Sequence, residues 1–156
     1  MACGDLGGSS LLQTQGTLRI ALESLLKETA AENARYIEIR FSPDNYTHAG
    51  LLDINSAVET LLDQAEKFMA EHENIIVNFL IMATRHKSRM AMATHVAAAV
   101  THFSSVIFPG AWKPRIAGFD LAGQEKDYDP VEFREDFLPL HRAFVNNHHS
   151  CGRDGR

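Results

Sequence analysis

A chain of 156 residues has room for one domain with a real core and not for two. With 45% hydrophobic and 22% charged residues it has the make-up of a folded globular chain, which argues against disorder. A net charge of -5 offers no basic field for a phosphodiester backbone, so a nucleic-acid partner is not expected.

Cys3 and Cys151 lie near opposite ends in polar segments, so a reducing compartment, the cytoplasm, is expected and a disulfide framework is not. No run reaches the roughly 18 consecutive apolar residues of a membrane span, and residues 1–10 lack the basic and apolar regions of a signal peptide. Residues 1–10 read as a disordered end, 11–146 as the folded domain and 147–156 as a disordered tail.

From Thr17 the pattern is helical, with Leu18, Leu22, Leu25, Leu26 and Thr29 at three- and four-residue steps. The period changes to two over 35–41, and Ser42, Pro43, Asp44 and Asn45 stop that strand with turn chemistry. Ser56 and Glu59 have the spacing of a capping box, and a second helix follows to about Glu73, with Val58, Leu61, Leu62, Ala65 and Met69 on one face. Residues 75–84 are almost wholly apolar, as expected of a strand covered on both faces in a parallel sheet.

A third helix is expected from Ser88 or Arg89 to about His102, burying Ala93, Val96, Ala97, Val100 and Phe103. Residues 105–108 are a short apolar piece cut off by Pro109 and Gly110. The third strand, 116–121, closes on Ala122 and Gly123, where a strand-end glycine marks either a plain turn or a close approach of ligand to backbone. Asp129, Pro130 and Glu132 then announce a fourth helix that buries Phe133, Phe137, Leu140 and Phe144. Helices alternating with strands predict a parallel α/β sheet.

Period two in the first strand puts Tyr36, Glu38 and Arg40 on one face, so a covered sheet would need partners for their charges. Arg85 and Asp120, at the ends of the next two strands, are the candidates. Glu38, Arg40, Arg85 and Asp120 form either a structural ion network or the floor of a polar site, because ligands in α/β folds bind at the carboxyl ends of strands.

The 8 histidines contain no His-x-His and no His-Glu-x-x-His, and His95 and His102 are badly spaced for one metal. His148, His149 and Cys151 suggest at most a surface chelate, so no metal site is expected within this chain. Phosphate-binding glycine loops and a serine-nucleophile elbow are also missing.

Three strand ends carry a family resemblance. Tyr36-Ile37-Glu38-Ile39-Arg40-Phe41-Ser42-Pro43, the strand ending at Arg85, and Gly118-Phe119-Asp120-Leu121-Ala122-Gly123-Gln124-Glu125 resemble successive strand ends of the adenosine deaminase family, in order and spacing, over about 11–146. The resemblance implies part of a (β/α)8 TIM-type barrel of the amidohydrolase superfamily, roughly its strands 2 to 4. It also implies a hydrolase that converts adenosine and water to inosine and ammonia. Zinc is the family's cofactor, a purine nucleoside its substrate, and Gly123 occupies the position whose backbone contacts the purine.

Family members also carry a His-x-His on the first barrel strand and His-Ala-Gly-Glu on the fifth, and neither motif occurs in this sequence. The expectation is therefore an internal fragment without zinc ligands or catalytic glutamate, inactive by itself. A non-catalytic binding module built on the same fold is the alternative, with self-association through exposed strand edges.

Overall fold

The computed structural model describes residues 8–85, 87–103, 113–123 and 129–148. The expected apolar piece at 105–108, together with His86, Gln124, Glu125, Cys3, Cys151 and the side chain of Phe144, lies outside the described residues.

The first helix, α1 (Gln15–Ala31), starts two residues earlier than the apolar spacing predicts, because Thr14 caps it. Thr14 Oγ1 accepts from the Thr17 backbone N–H, and the Thr17 hydroxyl engages the Thr14 backbone in return. Leu18, Leu22 and Leu26 are buried, while Leu25 faces outward. The next helix, α2 (Ile54–Glu71), takes Asp53 rather than Ser56 as its cap, and the Asp53 carboxylate accepts from both the N–H and the hydroxyl of Ser56. Its buried side includes Ala57, Val58, Leu61, Ala65, Phe68 and Met69.

Three strands form one parallel sheet in the order β1 (Tyr36–Phe41), β2 (Ile76–Thr84), β3 (Ile116–Ala122). Tyr36 pairs with Ile76 and the β1–β2 register runs without a break to Phe41 opposite Ile81. Between β2 and β3 the register shifts at Phe79/Leu80, which face Ile116 and Gly118 and leave Ala117 over. This bulge resets the alternation. Phe119 and Leu121 consequently share a face with Ile81 and Ala83, and Gly118 and Asp120 with Leu80 and Met82.

The core lies between one face of the sheet and the helices. Val77, Phe79 and Ile81 are fully buried there, Phe79 meets Phe41 edge to face at 5.8 Å, and Phe119 meets Phe137 at 5.7 Å. The opposite face departs from the expectation of a strand covered on both sides. Ile76, Leu80 and Met82 are only half-buried, and Tyr36, Glu38 and Arg40 are exposed. The desolvation cost expected for these charges does not arise, since water reaches them.

Helix α3 (Arg89–His102) begins at its Ser88 cap as expected but buries Met92, His95, Val96, Ala98 and Ala99, with Ala93 and Ala97 turned out. Alanine and methionine surround this helix, so its apolar pattern carried no contrast, and the polarity of His95 concealed the true face. Asp129 caps a short 3-10 turn (Pro130–Phe133) rather than the fourth helix, which is a separate element, α4 (Leu138–His148). That helix reaches two residues past 146, into the stretch read as tail.

Candidate functional site

The carboxyl ends of the three strands lie side by side and carry the residues singled out above. On the uncovered face, Arg40 Nη1 donates to Asp120 Oδ2 at 2.7 Å. The pair reaches from β1 to β3 over β2, about two strand spacings or ~9.6 Å, a span that arginine's length allows. On the same strand, the Glu38 carboxylate accepts the Tyr36 hydroxyl, which in turn accepts from Asn78 Nδ2 at 3.3 Å. The bond to Glu38 pushes the Tyr36 phenol up, against an opposing pull from Asn78. Arg85 is buried at the end of β2, and its backbone N–H donates to Ala122 O at 2.9 Å, tying β2 to β3 just before Gly123.

Gly123 ends β3 in an exposed bend at φ 103°. A side chain is strained at that angle, so the position calls for glycine.

A second polar cluster at the same end was not foreseen. Asp44, in the 3-10 turn Pro43–Tyr46, receives the Ser42 hydroxyl at 2.7 Å on Oδ1 and the Lys87 ammonium on Oδ2. His95 Nε2 lies 3.2 Å from Asp44 Oδ1 and 3.4 Å from Ser42 Oγ. Its Nδ1 donates to Ala91 O at 2.7 Å, one turn back in α3. Burial would raise the Asp44 pKa, but hydrogen bonds from His95, Lys87 and Ser42 outweigh it and hold the carboxyl well below its usual range. In the sequence Ser42-Pro43-Asp44 reads as a turn and His95 only as a candidate metal ligand. The available signal was a histidine amid the apolar residues of α3, since a buried histidine requires hydrogen-bond partners.

Among the described residues, no three His, Cys, Asp or Glu side chains come together so as to hold a metal ion. The donors at these strand ends, among the described residues, are engaged with one another and do not fit a zinc site.

The profile of the Adenosine deaminase family matches residues 5–152, nearly the whole chain. The chain belongs to the adenosine deaminase family. An adenosine deaminase of Streptococcus mutans is 34% identical over 127 residues, covering 80% of this chain and 33% of that protein. One from Enterococcus faecalis is 34% identical over 131 residues, covering 83% and 35%. This member of the adenosine deaminase family thus spans about a third of the length of the curated relatives it matches. A zinc-bound amidohydrolase from Burkholderia ambifaria superposes with a TM-score of 0.67 at 17% identity, over 85% of this chain and 34% of that one. The fold is accordingly that of a partial (β/α)8 barrel, with three parallel strands and their helices.

Proposed function

We propose that this chain supplies the purine-facing wall of an adenosine deaminase-type hydrolase, with Gly123 as a backbone contact for the purine. The carrying observation is Gly123 itself, an exposed glycine at φ 103° where β3 ends, within a family of adenosine deaminases. Barrel enzymes work at this end of their strands. Gly123 carries no side chain to hold a flat ring off the backbone, and the Arg40–Asp120 pair spans β1 and β3 at the same end of the sheet. Burial of Arg85 and its bond to Ala122 O fix the end of β2 against the turn that presents the glycine.

Zinc-activated water is the family's nucleophile. Since the described residues do not fit a zinc site, no chemical step is assigned to them. On this reading the 156-residue chain by itself does not deaminate adenosine. Its place of action is the cytoplasm, on the cysteine usage alone.

Loading the purified chain with zinc, dialysing it and assaying adenosine for inosine tests the reading. The expected result is no turnover and no stoichiometric metal; robust turnover with contaminating enzyme excluded would overturn it. The alternative, a non-catalytic module, draws on the uncovered sheet face, where Tyr36 is 53% exposed. A closed dimer in sedimentation, together with no response to adenosine, would favour the module.

A further inference from the structure

Ser42, Asp44, Lys87 and His95 do nothing in the purine reading, yet they join three separate parts of the chain at the loop end of the sheet. Ser42 and Asp44 follow β1, Lys87 follows β2, and His95 lies within α3. Their placement is that of a fastening. The turn 43–46 is closed by two local backbone bonds, Asn45 N–H to Ser42 O at 3.1 Å and Thr47 N–H to Asp44 O at 3.2 Å, and rests on the core through the buried Pro43 and through Tyr46 stacked on Phe41 at 6.4 Å. Its other side is tied by Gln13 Nε2, which donates to Asn45 O at 2.8 Å.

We propose that Asp44, with His95 and Lys87, forms an acid-labile strap that holds the turn after β1 onto α3, so that the loops after β1 and β2 keep one arrangement. His95 is 1% exposed and anchored by its Nδ1 to Ala91 O, so it is a fixed post rather than a mobile partner. Both of its ring nitrogens face acceptors, and the Asp44 carboxylate bridges it to the Lys87 ammonium. The hydrogen bonds to Asp44 are made to a charged group, the kind whose loss is felt most.

The strap's dependence on acid follows from the groups around Asp44. Lys87 comes from beyond β2 and brings a positive charge, and His95 comes from α3 with Nε2 toward the carboxylate; Ser42 is neutral, as is Gln13 ahead of α1. From α2, which also packs on the turn, the Asp53 carboxylate is engaged by Ser56. Neutralising Asp44 removes the negative charge that faces the Lys87 ammonium and the His95 ring, and the strap is left without its centre.

Hydrogen exchange of the 156-residue chain tests this, with rates normalised for the intrinsic effect of pH. No ligand is involved, so its outcome is independent of the purine reading. At neutral pH the Asn45 and Thr47 amides of Asp44→Asn and of His95→Gln should exchange about tenfold faster or more than in the parent chain, the scale of a lost hydrogen bond to a charged group. The Phe79 amide, inside the sheet, should change less. Lys87→Met, at a partly exposed position that leaves the His95 contact in place, should fall between. In the parent chain the protection should drop as pH falls below the usual carboxylate range, and in Asp44→Asn it should show no such step. Parent-like protection in Asp44→Asn, the same acid step in that variant, no effect of either His95→Gln or Lys87→Met, or an unprotected parent chain at neutral pH would each overturn the proposal.

Discussion

The Arg40–Asp120 pair offers a sensitive reading of how open the sheet face is. Opposite charges 2.7 Å apart attract by about 1.5 kcal/mol in bulk water and by several times more at the effective dielectric near a protein surface. Here the arginine side chain is 57% and the aspartate 35% exposed, so screening and the ordering of two side chains offset most of that gain. Exposed pairs are worth about 0.2–1 kcal/mol, and the expected coupling is about 0.5 kcal/mol. A double-mutant cycle with Arg40→Gln and Asp120→Asn, followed by urea unfolding, measures it. The coupling should shrink as the screening length falls from about 10 Å at 0.1 M salt to about 3 Å at 1 M. A coupling of about 3 kcal/mol or more that survives 1 M salt would refute the reasoning, because a pair that strong lies out of water.

Phe79, fully buried at the centre of the sheet and set against Phe41, should lose about 3–5 kcal/mol on Phe79→Ala in urea unfolding; a loss under about 1 kcal/mol would place the core elsewhere. Gly118→Ala puts a Cβ 2.8 Å from Leu80 Cδ2, the movable end of a half-buried side chain, so it should cost about 1 kcal/mol and close to nothing when Leu80→Ala is already present. An equal cost in both backgrounds would show that the clash is not with Leu80. Asp44 has a folded-state pKa below its ordinary 3.8, so the unfolded chain takes up a proton first as pH falls. Its stabilisation is complete above that value and is lost below it, and thermal melts of Asp44→Asn should show a shallower acid decline than the parent. Parallel declines would contradict the assignment.

Much of the fold was legible because its signals are local. Strand alternation at 36–41, the apolar run into Thr84 and the strand closing on Ala122 and Gly123 each name one element, and all three elements are present. Where two polar residues compete for one task, composition cannot choose: Asp53 rather than Ser56 caps α2 because the carboxylate reaches both Ser56 groups. The buried side of α3 stayed hidden because methionine and alanine ring the helix and the one informative residue, His95, is polar. Burial of the charged strand face was expected from the sheet class, and the structure leaves it open.

At the candidate site, the sequence brought Arg40 and Asp120 forward as a possible pair, 80 residues apart, through the geometry of neighbouring strand ends. It had no means to see that Glu38 turns to Tyr36, since that depends on side-chain direction within one strand. Nor could spacing alone join Asp44 to Lys87 and His95, which are brought together only when α3 packs back on the sheet.

The most direct test of the purine-wall assignment is a titration of the isotopically labelled chain with adenosine, observed at backbone amides by NMR, beside the Gly123→Val variant. Saturable shifts at Gly123 and its neighbours at the carboxyl ends of β1 and β3, lost in the variant while its fold is retained, are predicted. An unresponsive Gly123 amide, or shifts confined to the opposite end of the sheet around Asn33 and His72, would contradict it.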